Sequence, residues 1–318
     1  MNSQQHKAIL DIGTNSFHFV VYKVRDDKSF LTIYRKRIVY RLALQKQNEK
    51  SFLSDEDFAQ TLIIIEELKK IASQYSCSIT ATATSAIREA SNKDAYLEHV
   101  QKTTGVSIEL LSGEKEALLI YKAVAHYNKD AFSKRILCLD IGGGSTECIL
   151  GEKGKILFVE SLVLGAVRLS MQFFPGDKLD RNKIEVCRSF IHKAIEPIKQ
   201  RVVAANMDFV TGNSGTIYAM KILALANRSN LGLEPQEEKI LTREELEKAV
   251  DLLLSHKTIK ERKTIPGIEP DRAAILPAGA LILQSFFSML NLSSLYLSDY
   301  SMREGKLLEI LENVESEN

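Results

Sequence analysis

Apolar and polar positions along the chain change period several times, and two stretches are copies of one plan. Residues 7–16 read KAILDIGTNS and residues 135–145 read RILCLDIGGGS. Each is an apolar run ending in Asp-Ile-Gly, then a small polar turn, then a second run: FHFVVYKV (17–24) in the first copy, ECILGE (147–152) in the second. Turn signals follow, Asp26-Asp27-Lys28 and Glu152-Lys153-Gly154-Lys155, and a third strand after each. Asp11 and Asp140 stand 129 positions apart. The pattern predicts two similar domains, each opening with a three-stranded meander.

Between the copies the period alternates. Ser54-Asp55-Glu56-Asp57 starts a helix on which Phe58, Leu62, Ile65, Leu68 and Ala72 recur at helical spacing. Residues 78–84 (SITATAT) alternate as a strand, 92–102 read as a helix, 106–111 as a strand, and 113–127 as a helix presenting Ala117, Ile120, Tyr121 and Val124 on one side. After the second meander the pattern predicts helices at 184–203, 215–226, 242–255 and 269–290, the last with Pro277 near a break. Short strands are expected at 208–211 and 295–297, a polar surface loop at 229–239, and a final helix at 303–314. This alternation is an α/β pattern with mixed sheets.

A length of 318 residues exceeds the roughly 250–300 at which a single core stops growing, which also favours two domains. Lys and Arg total 42 against 41 acids, a balance that argues against nucleic acid or a membrane surface as partner, since both favour a large basic excess. No apolar run reaches the roughly 18–20 residues of a span, and MNSQQHKAILDIG lacks an apolar signal core. A soluble, cytoplasmic protein is expected. Cys77, Cys138, Cys148 and Cys187 show no CxxC or Cys/His spacing, so they read as reduced thiols, three of them in core-like segments.

The chemistry concentrates in the loops. Each Asp-Ile-Gly turn can aim backbone N–H groups and hydroxyls at one spot, a cradle for phosphate oxygens. Gly13 and Gly142–Gly144 supply close backbone approach, and Thr14, Ser16, Ser145 and Thr146 supply short donors. Asp11 or Asp140 can hold Mg²⁺, which takes one or two carboxylates plus phosphate oxygens. A third loop, Gly212-Asn213-Ser214-Gly215, precedes a helix whose N-terminus suits an anion; a plain strand-to-helix connection explains it equally well. Glu114 and Glu116 open a helix, where acids are favoured by the dipole and where the same dipole favours the ionised carboxylate a base needs. Arg88, Arg168, Arg272 and Arg303 are either surface charges or forks for phosphate. The six histidines form no metal-site spacing, and neither a Walker loop nor G-x-S-x-G occurs.

Eight ordered segments carry a resemblance: DIGTNSFHFVV (11–21), ATATSAIREASN (81–92), SGEKEA (112–117), DIGGGSTE (140–147), LGAVRL (164–169), GNSGT (212–216), RAAILPAGALIL (272–283) and REG (303–305). Together they resemble the exopolyphosphatase/guanosine pentaphosphate phosphohydrolase (Ppx/GppA) family in its short two-domain form. The resemblance implies two similar domains of the actin/Hsp70/sugar-kinase, ribonuclease H-like type, with an interdomain cleft. It also implies that the last helix returns to the first domain, giving 1–127 plus 302–318 and 128–301.

Glu116 then matches the base for the attacking water, with Glu114 in reserve, while Lys115 replaces a family Glu. Asp140 and Glu147 match metal contacts, Gly142–Thr146 the phosphate loop, Asp11, Asn15 and Ser16 the first loop, and Arg88 a phosphate contact. Met302 stands where the family commonly has Gly. Mg²⁺ is the implied cofactor, with a monovalent cation as a further candidate, and the implied reaction releases orthophosphate from inorganic polyphosphate or from the 5′ end of pppGpp. A homodimer is compatible with the reading, nucleic acid and membrane are not expected as partners, and the longer members' appended helical domains are not expected here. A non-catalytic phosphate or nucleotide sensor is the reading from another class; a sugar or acetate kinase is disfavoured by SGEKEA and TSAIR.

Overall fold

The first repeat folds into strands β1 (Gln5–Ile12), β2 (Ser16–Val24) and β3 (Phe30–Val39), an antiparallel meander. The computed structural model describes residues 5–42, 45–47, 50–127, 134–204, 207–234 and 237–316. A small ribbon, β4 (Gln45–Gln47) with β5 (Lys50–Phe52), follows. Then come α1 (Asp55–Gln74), β6 (Ile79–Ala83), α2 (Ser85–Glu89), α3 (Lys93–Thr104), β7 (Ile108–Leu110) and α4 (Gly113–Tyr127). The start of α1 is a capping box, in which the Ser54 hydroxyl accepts from the Asp57 N–H and the Asp57 carboxylate accepts from the Ser54 N–H.

The second repeat gives β8 (Arg135–Ile141), β9 (Thr146–Glu152) and β10 (Lys155–Leu162), then α5 (Ala166–Phe173), α6 (Arg181–Ala204), β11 (Phe209–Gly212) and α7 (Gly215–Ala226). The chain continues through α8 (Arg228–Leu231), β12 (Ile240–Thr242), α9 (Arg243–Ser255), α10 (Ile259–Arg262), α11 (Leu276–Met289) and β13 (Ser294–Leu297), and ends in α12 (Met302–Ser316). Two compact units result: Met1–Leu119 with Met302–Asn318, and Ile120–Ser301.

Both sheets follow one plan. In the first unit the strand order is β3-β2-β1-β6-β7, with β6 and β7 parallel to β1. In the second it is β10-β9-β8-β11-β13, with β11 and β13 parallel to β8, and β12 adds an antiparallel edge. An antiparallel meander continued by parallel strands is the ribonuclease H-like plan that the resemblance implies. Alternation along β1 sends Ala8, Leu10 and Ile12 into a core shared with α1 and α3, while Ile9 meets Leu307 and Leu311 of α12 on the other face. In the second unit the Tyr121 ring lies on Gly151 of β9, where a Cβ would come within 2.2 Å of it. There α7 is tied to α9 by a fully buried pair, Lys221 Nζ donating to Glu245 Oε1 at 2.7 Å and Oε2 at 2.9 Å.

The helix expected over 269–290 begins only at Leu276. Residues 270–275 are turns, with Arg272 N–H on Glu269 O and Ile275 N–H on Arg272 O, and Pro277 falls in the first helical turn, where its missing N–H costs nothing. The loop expected at 229–239 opens with the end of α8, closed by Gly232 at φ 58°; residues 235–236 of that stretch lie outside the described residues. The short elements α2, α5, α10 and β12 carry too few residues for a period to register. Among the described residues no helix is long and apolar enough to cross a membrane.

At Gly305 the backbones of α12 and α4 nearly touch, since a Cβ there would lie 1.9 Å from Leu119 O. Gly305→Ala is expected to lower stability by about 2–3 kcal/mol through overpacking against rigid backbone, read as a lower urea midpoint with unchanged slope.

Candidate active site

The first unit brings its expected residues to the carboxyl ends of three neighbouring strands. The register pairs Asp11 with Thr82 and Ile12 with Ala83, and Ala83 with Leu110, so the loops after β1, β6 and β7 open side by side. The turn Gly13–Asn15 is closed by Gly13 N–H on Ser16 O at 3.1 Å. Thr14, Asn15 and Ser16 are buried; Asn15 Oδ1 accepts from Arg41 Nε at 3.1 Å, and Ser16 Oγ bonds His18 Nε2 at 2.9 Å.

Arg88 sits at the end of α2 and Glu116 one turn into α4. Arg88 Nη1 donates to Leu111 O at 2.8 Å and to Glu116 Oε2 at 3.2 Å, both side chains being mostly buried. A strand-end carbonyl thus fixes the guanidinium, and the guanidinium orients the carboxylate. Glu114 is exposed. The Ser112 hydroxyl caps α4 at Lys115 N–H, and the Lys115 ammonium pairs with Glu309 of α12. Lys306 bridges Glu309 and Glu109.

Asp11 closes its strand beneath the first turn of α12, with Arg303 Nη1 3.5 Å from its Oδ2. Burial pushes its carboxyl above the usual range, Arg303 pulls it back, and Glu304 pushes it up again. Glu304 in turn accepts from the buried Tyr22 hydroxyl at 2.6 Å; burial, then the Glu304 charge, push that phenol well above its ordinary value.

In the second unit Asp140 and Glu147 face each other across the β8–β9 register, and Glu147, 1% exposed, accepts from Ser161 Oγ at 2.9 Å. The copies therefore diverge at one position: Asp11 stands opposite His18, Asp140 opposite a second carboxylate. Two carboxylates beside a phosphate cradle suit Mg²⁺, which leaves its other positions to water and phosphate oxygens. No group of three or more His, Cys, Asp or Glu side chains suited to a metal occurs among the described residues.

The glycine loop is held from behind by α5. Ala166 N–H donates to Gly142 O and Val167 N–H to Gly143 O, both at 2.9 Å, while Arg168 adds its N–H to Gly143 O and its Nε to Gly144 O at 2.7 Å. Because a trans peptide points its N–H opposite to the preceding carbonyl, the N–H groups of Gly143, Gly144 and Ser145 face away from α5. A run of N–H groups on one face is suited to an anion. Gly165 permits the close approach; a Cβ there would lie 2.3 Å from Gly143 O. Thr146 is fully buried and its hydroxyl donates to Leu164 O at 2.8 Å.

The third loop adjoins the second, since Gly212 pairs with Leu139 and Thr216 Oγ1 donates to Ile141 O. Ser214 caps α7 by accepting from Ile217 N–H, and Asn213 Nδ2 donates to Tyr300 O at 2.9 Å. Asn213 Oδ1 is buried without a hydrogen-bond partner among the described residues. The Arg272 guanidinium lies against Gly215, where a Cβ would come within 2.4 Å of Nη2, and Glu269 holds its Nε at 2.9 Å.

The model of the Ppx/GppA phosphatase family matches residues 20–314. The chain belongs to this family. A Vibrio parahaemolyticus guanosine-5′-triphosphate,3′-diphosphate pyrophosphatase is 31% identical over 96% of the chain, which spans 59% of that relative's length. Exopolyphosphatase 1 of Mycobacterium tuberculosis is 29% identical over 96% of the chain and 88% of its own. The crystal structure of an exopolyphosphatase from Cytophaga hutchinsonii superposes with a TM-score of 0.83 at 25% identity, covering 97% of this chain and 98% of that one.

Sequence reasoning missed how Ppx/GppA motif LGAVRL acts here: Arg168, read as a phosphate fork or a surface charge, donates its Nε to a loop carbonyl. Arg41 gave no signal beyond local basicity. Gly165→Ala is expected to lower kcat/KM for phosphate release about 100-fold, as misplacing a reacting group by about 1 Å does, while far-ultraviolet circular dichroism stays native.

Proposed function

We propose that this Ppx/GppA chain is an exopolyphosphatase, hydrolysing the terminal phosphoanhydride of inorganic polyphosphate and releasing orthophosphate. The observation that carries the reading is the glycine loop, whose carbonyls are tied to α5 so that its N–H face is free to meet phosphate oxygens. In the second unit the N–H groups of Gly143–Ser145 hold phosphate oxygens, with Gly212–Gly215 and Arg272 on the adjoining loop; in the first unit Gly13–Ser16 offers a turn of the same kind. Arg88, anchored on Leu111 O, neutralises developing charge and orients Glu116. Glu116 positions a water molecule and takes its proton as the new P–O bond forms and the bridging P–O bond breaks; the leaving chain is one phosphate shorter. Asp140 and Glu147 would hold Mg²⁺, which when bound supplies positive charge to the phosphoryl oxygens. Positioning and electrostatics carry most of the acceleration in such transfers. The four cysteines, all free, suit a reducing cytoplasm.

A pppGpp 5′-phosphatase is the second reading, favoured by the 31% identity to the Vibrio enzyme. Phosphate release from short and long polyphosphate, pppGpp and ATP, assayed with Mg²⁺, separates the two. Polyphosphate is the expected best substrate, and release from none, with binding retained, would replace both with a sensor. Glu116→Gln is expected to reduce kcat at least about 100-fold, the usual contribution of a positioned base; equal rates would remove Glu116 from the mechanism. Asp140→Asn should raise the Mg²⁺ concentration for half-maximal rate by about 10-fold or more, measured by metal titration.

A further inference from the structure

The first fifty residues hold ten lysines and arginines against four acids, an excess that the strand-end chemistry leaves unexplained. Three of the ten, Arg35, Lys36 and Arg37, lie along β3, an edge strand of the first sheet among the described residues. Arg35 and Arg37 are alternate residues and so share a face, about 7 Å apart along the strand. The register sets them opposite Val20 and His18, in the rows that continue to Ile9 and Asp11 of β1. Just past the strand, Arg41 reaches Asn15 of the first loop. Arg35 and Arg41 are exposed and Arg37 is half-buried. Lys36 points to the opposite face and pairs with Glu67, so it takes no part.

A basic line therefore starts at a phosphate-type loop and runs down a sheet edge. We infer that Arg41, Arg37 and Arg35 form a track for the part of an inorganic polyphosphate chain that lies beyond its reacting end. The inference rests on the exopolyphosphatase reading and adds to it a preference for long chains. Polyphosphate repeats one kind of group at short intervals and offers no base to recognise. Guanidinium groups at strand spacing are suited to that, because each carries several N–H donors for phosphate oxygens, even with Arg41 Nε on Asn15 and Arg37 Nε buried. Positive charge on an edge strand also deters pairing with other strands, and this alternative makes a different prediction.

The test is direct binding of long-chain polyphosphate and of tripolyphosphate to the full chain in the Glu116→Gln background, with and without Arg35→Ala/Arg37→Ala, over a range of salt. Long-chain affinity should fall about tenfold or more in the double variant, and the slope of log K against log salt should shrink by about 2, one for each lost phosphate contact. Tripolyphosphate affinity should fall far less, and Arg35→Lys/Arg37→Lys should keep most of the long-chain affinity. Unchanged long-chain affinity and slope would overturn the track, and aggregation with unchanged binding would assign the charges to edge protection. Because binding is read without turnover, the track fails or stands separately from the activity, which fails only if the Glu116 protein releases no phosphate from polyphosphate.

Discussion

Three carbonyls of the Gly142–Gly144 segment accept hydrogen bonds from the first turn of α5 and from the Arg168 side chain, and the orientation of the loop depends on those bonds. Peptide planarity turns the matching N–H groups the other way, which gives the loop its polarity toward anions. The same contact demands a residue without a side chain at Gly165, because helix and loop backbones meet there. It also accounts for Thr146, whose hydroxyl reinforces the contact at Leu164 O. Glycines in this loop thus let one backbone serve two partners, a helix behind and a ligand in front.

The duplicated strand ends have taken opposite electrostatic courses. Asp140 faces Glu147, a pair of acids that gains from a cation. Asp11 faces Arg303, and its surroundings include Glu304 and the Tyr22 phenol. Two carboxylates set side by side suit a cation, whereas Arg303 beside Asp11 offsets part of what burial costs that carboxylate. The duplication thus supplies scaffold twice and carboxylate-pair chemistry once, in the second unit.

Much of this was legible from residues alone. Both meanders, the long helices and the loop positions follow from period and turn signals, since each repeats over enough residues to register. Residues 269–275 misled because their apolar and polar positions continue the period of α11, while Pro277 was read as a break within a helix when it marks the first turn. Helix α5 is only eight residues long and its role is set by tertiary hydrogen bonds, which periodicity does not encode. Lys115 stands out against the family pattern as an odd charge, yet its partner Glu309 lies 194 residues away, beyond the reach of any local rule. The roles proposed for the site residues rest on motif order; the geometry adds which groups touch.

The return of α12 to the first sheet has a consequence for the birth of the molecule. Ile9, Val20 and Tyr22 wait for Leu307 and Leu311 to cover them, and Asp11 waits for Arg303. During synthesis the first unit therefore remains open on one face while the whole second unit is made. Contacts of such long sequence separation form slowly, and an uncovered apolar sheet face invites wrong partners in the interval. In a protein built this way the unit translated first is the last to have its sheet covered on both faces.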